Sequence, residues 1–513
     1  MTTHSDTGFV SLLTSHAARD PGGIYARFCG EPVTFAEIER RSAAFASHLR
    51  SRGITPGERV AVMMRNSIAA IAVVFGLARA GVVWVPVNAQ QRGEGLNYLL
   101  THSQPRLVVA DADLVAQIDE AMGPDAALPR LPHGAEGELD RILGAATSFD
   151  EPAPAPDAVF AIMYTSGTTG RPKGVIVSHR MLRLAAESVA LLSEAEAGDT
   201  FFVWEPLYHI GGAQLLPLPM VRGVTLAMVE RFSASRFWQQ VRDEGATHIH
   251  YLGGILQILL KQPPSPLDRE HGVRIAWGGG CPPDIWPPFR DRFGIAIREC
   301  YGMTEASSLT TCNLTGLVGS VGRPMPWFTV KLQDAEGRPV ADGERGEIVV
   351  ETSVPGAIFP GYLDNPDATA RALRPDGFHT GDLGSFDADG NLYFHGRMTD
   401  SVRCRGENVS AWEVEHVAAE HESVEDCAMI GVAAEIGEQD IKLFVKPRAG
   451  HRLDPEAFSD WLGHRLAPYQ SPRYIAVVAD FERTASQRIM KHKLSTRLDD
   501  CWDRLAPALA TGS

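Results

Sequence analysis

The stretch Tyr164-Thr-Ser-Gly-Thr-Thr-Gly-Arg-Pro-Lys-Gly174 packs three glycines, one serine, three threonines and two cations into eleven residues. Glycines let backbone N–H groups turn towards one point, and hydroxyls add donors. Lys173 and Arg171 add positive charge, so the loop is suited to holding a polyphosphate. It is not a Walker loop. That motif needs Gly-Lys-Ser/Thr opening into a helix, whereas Lys173 is followed by Gly174 and a β-branched run. The other use of such a composition is a solvated surface loop.

Strands must present this loop. Val159-Phe-Ala-Ile-Met163 before it is apolar and Val175-Ile-Val177 after it is β-branched, giving strand, loop, strand. Upstream, residues 1–150 alternate between helices and strands. Thr34, three residues before Glu37, marks a capped helix start. Arg59-Val-Ala-Val-Met-Met reads as a strand, the run from Ile68 as a buried helix, and Val82-Val-Trp-Val-Pro-Val as the next strand. A helix near Gly93–Ser103 and a strand at Arg106-Leu-Val-Val-Ala follow. This order predicts a parallel sheet with crossover helices. The Pro-alternating segment Glu151-Pro-Ala-Pro-Ala-Pro-Asp157 is an extended connector. From Phe328 to Gly396 the pattern turns strand-rich, with Asp-Gly turn signals, and predicts a small β subdomain. After Asp400 a remainder of about 110 residues has the size and alternation of a separate α+β domain.

At 513 residues the chain is long enough for three to four units of about 150 residues. Its net charge of −15 argues against nucleic acid as main partner, because a phosphate backbone wants a basic face. Seven scattered cysteines without Cys-x-x-Cys point to reduced thiols rather than disulfides or a structural zinc. The amino terminus lacks a basic-then-apolar leader, and the most membrane-like run is broken by Arg79 and Gly81. A soluble, cytoplasmic protein with no membrane insertion is expected.

The loop resembles the phosphate-binding signature of the adenylate-forming (AMP-binding) superfamily, which includes acyl-CoA synthetases, carrier-loading adenylation domains and beetle luciferases. The resemblance covers nearly all of residues 10–500. It implies an α/β fold: a large amino-terminal domain of α/β subdomains plus a small β subdomain (1–399), then a mobile α+β carboxy-terminal domain (400–513). It assigns phosphate binding to Thr165, Ser166, Gly167, Thr168, Thr169, Gly170, Arg171 and Lys173. Trp277-Gly-Gly-Gly-Cys-Pro-Pro283 resembles the strand that lies against adenine, through Gly279 and Gly280, although a tight turn explains that segment equally well alone. In Cys300-Tyr-Gly-Met-Thr-Glu305, Tyr301 and Gly302 would meet the purine, Thr304 would bond the α-phosphate and Glu305 would hold Mg²⁺. In Phe378-His-Thr-Gly-Asp-Leu383, Asp382 would accept the ribose hydroxyls, as acidic groups do in dinucleotide folds. Arg397 would touch the ribose, Asp400 would be the hinge, and Arg405 with Gly406 resemble the turn that lines the pantetheine tunnel.

One stretch departs from the pattern. Where the family ends on Pro-x-Thr-x-Ser-Gly-Lys, this chain reads Arg483-Thr-Ala-Ser-Gln-Arg-Ile-Met-Lys-His-Lys493. Arg488 aligns with the final lysine and keeps its charge in a wider, more rigid fork. Lys491 or Lys493 would reach the site by a shift of register, or adenylation is weakened. Arg488 and Lys491 are the preferred catalytic cations, beside Lys173, Thr304 and Glu305.

The chemistry implied is ATP-dependent activation of a carboxylic acid as an acyl-adenylate, then transfer to CoA, with ATP, Mg²⁺ and CoA as cofactors. Loading a carrier protein, or a degenerate nucleotide or acyl-adenylate binding protein, are the alternatives; a homodimer is left open. For the acid, Tyr208, His209, Gly278 and Met303 are the substrate candidates. Trp204, Gly211, Gly212, the Tyr251–Gly254 segment and Ala306–Ser308 are further pocket candidates. No strong acid-specific charged device is visible. Smaller similarities, at Arg231–Trp238 and Arg405–Glu415, resemble the carnitine/crotonobetaine-CoA ligase branch, whose substrates' quaternary ammonium would suit aromatic rings.

Overall fold

The computed structural model describes residues 8–506 except 124–126, 135–136, 166–170, 253, 335, 398–400, 435–437, 483–488 and 490. Two mainly parallel sheets organise the amino-terminal part. The first runs Arg130–His133, Leu107–Asp111, Arg59–Met63, Val83–Pro86, Val159–Thr165, Lys173–Ser178, and only the last strand joins antiparallel. The second runs Ala296–Glu299, Ile275–Gly279, His248–Leu252, Thr200–Val203, Thr225–Met228, Ile24–Phe28, Glu31–Thr34, again with a single antiparallel edge. Parallel neighbours need long crossovers, and helices supply them.

Local signals locate those helices. Thr34 accepts the Glu37 N–H at 3.1 Å and starts the helix Phe35–Ser51, satisfying one of the orphan amides of the first turn. Glu37 pairs with Arg41 one turn on. The helix Ile68–Arg79 is capped by Ser67 and buried from Ala69 to Arg79. It shares one core with Val60 and Trp84 of the first sheet and Phe201 and Leu226 of the second. That common core fixes the two sheets against each other. Arg79 at its end is a buried charge paired with Glu39, as burial requires. Among the described residues no helix is long and apolar enough to cross a membrane.

The strand-rich segment forms an antiparallel sheet of Phe328–Gln333, Gly346–Thr352, Gly377–Phe386 and Leu373–Arg374, with Leu392–Arg397 paired to Gly377–Phe386. The carboxy-terminal part begins with the hairpin Ser401–Cys404/Glu407–Ser410. Helices Ala411–Ala419 and Pro455–Gly463 then pack on a sheet of order Val424–Ala433, Gln439–Pro447, Tyr474–Val477, Trp502–Asp503. Val414, Leu443, Phe458 and Ile475 build its separate core. Lys442 is wholly buried there. Its Nζ donates to the Ser495 and Arg497 carbonyls at 3.1 and 2.6 Å and meets Asp500 at 2.5 Å. The chain after residue 494 is thereby tied to the central strand. All seven cysteines are free, as their spacing predicts.

Candidate active site

A cavity of about 890 Å³ opens where the carboxyl ends of both parallel sheets converge, the place where open α/β sheets receive ligands. Thr165 ends one bordering strand and Gly279 and Glu299 end two others. Along the strand His248–Leu252 the pleat alternates, so His250 and Leu252 face the cavity.

The predicted nucleotide residues meet here. Lys173 opens its strand with Nζ 4.8 Å from the centroid of the Tyr362 ring. The Tyr362 hydroxyl donates to Glu305 Oε1 at 2.9 Å. Thr304 and Glu305 sit buried on one short 3-10 turn at the wall. Cation, ring and carboxylate are thus joined in one chain of contacts. On another part of the wall the Tyr301 hydroxyl donates to Asp382 Oδ2 at 2.8 Å, and Phe394 stacks on Tyr301 at 5.5 Å. Asp382 is opposite Arg397 in register on the neighbouring strand.

Gly302 also lines the cavity, and a Cβ there would fall on the Ser308 carbonyl, with Leu309 Cα 2.7 Å away. Backbone cannot yield as a flexible side chain does. Gly302→Ala is expected to cost about 3 kcal/mol of stability, read by thermal unfolding, with ATP binding lost; an unchanged midpoint with normal binding would contradict this packing.

Gly279 and Gly280 line the same space. The Glu299 carboxylate secures their end by accepting the N–H groups of Gly280 (2.5 Å) and Cys281 (3.2 Å) and the Tyr251 hydroxyl (2.5 Å). Burial nevertheless pushes its carboxyl up to about 7.

Tyr208, His209, Gly278 and Met303 all line the cavity as predicted. His209 Nε2 lies 2.7 Å from Glu407 Oε1, bridging the amino-terminal part to the hairpin of the carboxy-terminal domain. Burial works to lower the His209 imidazole, and the Glu407 and Glu205 carboxylates together outweigh it, so the group sits above its ordinary value. Tyr251 and Trp204 do not line the pocket. Tyr251 occupies the opposite pleat face, in a core with Phe237 and Leu256. Trp204 turns back, donating its Nε1–H to the His250 carbonyl at 2.8 Å and packing on Phe232.

The remaining predicted residues divide. Gly406 lines the cavity and donates its N–H to Glu438 at 2.7 Å, whereas Arg405 is exposed and donates to the Pro468 carbonyl at 3.2 Å. Arg171 stands over the Tyr98 ring at 5.2 Å. Lys491 is paired with Glu415 at 2.8 Å within its own domain, and Lys493 with Glu482; neither borders the cavity in this arrangement. Ser166, Gly167, Thr168, Thr169, Gly170, Asp400 and Arg488 lie outside the described residues. Contacts between the domains include Tyr469 to Gln91 at 2.9 Å, His416 to Glu94 at 3.1 Å and the His209–Glu407 pair.

Glu205, His250 and Glu299 are among the wall residues that motif reading misses, and Glu407 enters it only as part of the Arg405–Asn408 turn. Glu299 and Glu407 adjoin or sit inside quoted motifs, yet nothing in their spacing distinguishes them from surface acids. Glu205 and His250 carry no periodic or motif signal at all.

The AMP-binding enzyme family matches residues 13–363, and the AMP-binding enzyme C-terminal domain matches 413–488. A crotonobetaine/carnitine–CoA ligase from Salmonella paratyphi A is 32% identical over 486 residues, covering 90% of this chain and 92% of the relative. Among solved structures, the amide bond synthetase of Marinactinospora thermotolerans is 25% identical, covers 95% of this chain and 99% of its own, and superposes with a TM-score of 0.84. The o-succinylbenzoate CoA synthetase of Bacillus subtilis, bound to its product analogue, also reaches 0.84 at 24% identity, with coverage of 95% and 98%. The same synthetase in complex with its acyl-adenylate intermediate reaches 0.68, with coverage of 94% and 97%. With two-thirds of its length under one family match, a second match in the domain beyond, and the motif residues gathered at one cavity, the chain belongs to the AMP-binding enzyme family.

Proposed function

We propose that this chain is an ATP-dependent acid–thiol ligase. It joins a carboxylic acid to AMP, releasing pyrophosphate, and passes the acyl group to CoA, releasing AMP. The observation that carries this reading is the meeting of Lys173, Thr304, Glu305, Tyr301 and Asp382 at one cavity. A carboxylate resists nucleophiles because of its charge, and AMP turns it into a mixed anhydride with a good leaving group. Two anions must therefore approach one another. Lys173 and the loop before it offset that repulsion, and Thr304 bonds the α-phosphate. Tyr301 and Asp382 hold the adenosine by stacking and by accepting ribose hydroxyls, with Arg397 alongside. Glu305 fits Mg²⁺: it is a hard oxygen donor beside the Thr304 hydroxyl, and Tyr362 engages its Oε1. Mg²⁺ supplies charge on phosphate oxygens when bound.

The carboxy-terminal domain serves each half-reaction with a different face, turning about Asp400 at the boundary between 1–399 and 400–513. In the arrangement described, Gly406 and Glu407 border the cavity while Lys491 is held on Glu415. The closer superposition with the product-analogue form of the Bacillus synthetase supports reading this as the thiol-transfer arrangement. Arg488 and Lys491 then belong to the other arrangement, where they serve adenylation.

The acid is compact and functionalised rather than a plain long chain, because polar side chains, among them Gln214 and Ser308, line its end of the cavity. The relative's name adds carnitine-type acids as the first class to try. A screen of carboxylic acids with ATP, Mg²⁺ and CoA, read by thioester mass, is expected to give acid-dependent pyrophosphate release and an acyl-CoA product. ATP binding without turnover of any acid would make the chain a nucleotide-binding protein instead.

A further inference from the structure

Trp277 stands in the middle of the strand Ile275–Gly279 and lines the cavity, although only 1% of it is exposed. Its neighbour Ala276 turns to the opposite face, into the core with Phe237 and Leu256. Across the register Trp277 faces His250, with ring centroids 4.2 Å apart, and Phe201 lies 6.3 Å away. These rings hold the indole in place. Its Nε1–H is buried and finds no acceptor among the described residues. A buried donor left unpaired is costly, and most such groups in folded proteins are met. Trp84 and Trp238 carry the same defect, but they sit in cores and do not line the cavity. Trp277 does, so its acceptor can come from a bound molecule.

The groups around it leave this donor its own task. Gln214 donates to the Gly211 carbonyl at 2.9 Å and accepts the Ser308 hydroxyl at 2.7 Å, so that pair is already engaged. The charges are matched as well: Glu205 lies 2.7 Å from His250, Glu407 2.7 Å from His209 and Glu438 3.7 Å from Arg403. A second carboxylate on the acid would arrive there without a countercharge, which is unfavourable. A neutral oxygen needs none. It has only to accept one hydrogen bond, and a chain with carbon in that place would leave the indole N–H unpaired.

We propose that Trp277 is a specificity-determining residue of the acid site, and that its indole N–H selects carboxylic acids whose chain carries a neutral oxygen acceptor such as a ketone carbonyl. This rests on the ligase reading above, and binding of matched acids tests it separately. 4-Oxopentanoate and 4-methylpent-4-enoate differ only in the exchange of the carbonyl oxygen for a methylene, as do 5-oxohexanoate and 5-methylhex-5-enoate. Calorimetry on the full chain, with α,β-methylene-ATP present so that no acid is consumed, is expected to show the oxo acid of at least one pair binding about tenfold more tightly than its isostere. Trp277→Phe keeps a ring but removes the donor. It should erase that preference while leaving the affinity for the isostere within about threefold. In the parent protein the indole proton resonance missing from Trp277→Phe should move downfield with the preferred oxo acid and stay in place with its isostere. No preference in either pair, failure of both oxo acids to bind, or a preference that survives Trp277→Phe would overturn the proposal and leave the indole N–H to water. Turnover is read apart from binding. A preference in binding without pyrophosphate release from ATP would sustain Trp277 as the selector and count against the ligase.

Discussion

Glu305→Gln is expected to lower acid-dependent pyrophosphate release at least about a thousandfold, a loss of about 4 kcal/mol of transition-state stabilisation. The substitution changes almost nothing else. The amide oxygen can still accept the Tyr362 hydroxyl, which now sits 2.9 Å from Oε1, and the short turn holding Thr304 keeps its shape. What disappears is one negative charge at the wall, the charge that would hold Mg²⁺ against the phosphates. Lys173, standing over the same Tyr362 ring, remains, so ATP should still bind while the Mg²⁺ dependence of the rate weakens. Thermal unfolding should move little, because the residue's packing is retained. A loss smaller than about tenfold would mean that Glu305 is a structural acid and that the phosphate assignment around it is misplaced.

Glu407→Gln should divide the two half-reactions. Glu407 reaches His209 across the domain boundary at 2.7 Å and borders the cavity only because the hairpin Ser401–Cys404/Glu407–Ser410 faces it. Thioester formation from a preformed acyl-adenylate should fall about a hundredfold, while acid-dependent pyrophosphate release stays within about threefold. Equal loss in both would show that the hairpin is no more than structural. The pair also carries a pH signature. The His209 imidazole is raised from 6.5 in the docked arrangement, with burial opposing and the Glu407 and Glu205 carboxylates together prevailing. The ion pair is fully present below 6.5 and is lost as pH rises through the raised value. The thiol-transfer step should therefore weaken on that alkaline side in the parent protein, and Glu407→Gln should flatten the dependence. Stopped-flow assays of the separate steps across pH measure both effects.

Much of this architecture is legible in the residues because local physics and tertiary packing agree there. The Thr34 cap, the apolar run that becomes the helix Ile68–Arg79 and the β-branched flanks of the phosphate loop each have one stable outcome. That the residues proposed for the nucleotide meet at one cavity is legible for a different reason: groups suited to stacking, hydroxyl donation and carboxylate acceptance are concentrated in short blocks. The acid pocket was less readable because its wall comes from alternate positions of strands. The segment read from the sequence begins at Tyr251; within it Leu252 faces the cavity, while Tyr251 takes the other side of the sheet and His250, one residue earlier, shares the wall with Leu252. Glu205 was missed for a related reason. An isolated acid after a strand looks like a surface residue until the fold buries it against His250. Contacts made only when two domains meet, such as Glu407 with His209, have no local signature at all.

The buried ammonium of Lys442 bears on tempo. By riveting Ser495, Arg497 and Asp500 to the middle of its sheet, it joins Lys491 and Lys493, just before them, to the carboxy-terminal body. In the two-arrangement cycle proposed above, those two lysines would travel with that whole body, a motion of microseconds to milliseconds rather than the nanoseconds of a loose tail. Turnover then inherits the rhythm of a rigid lever, and the slowest event in each cycle can be the swing itself.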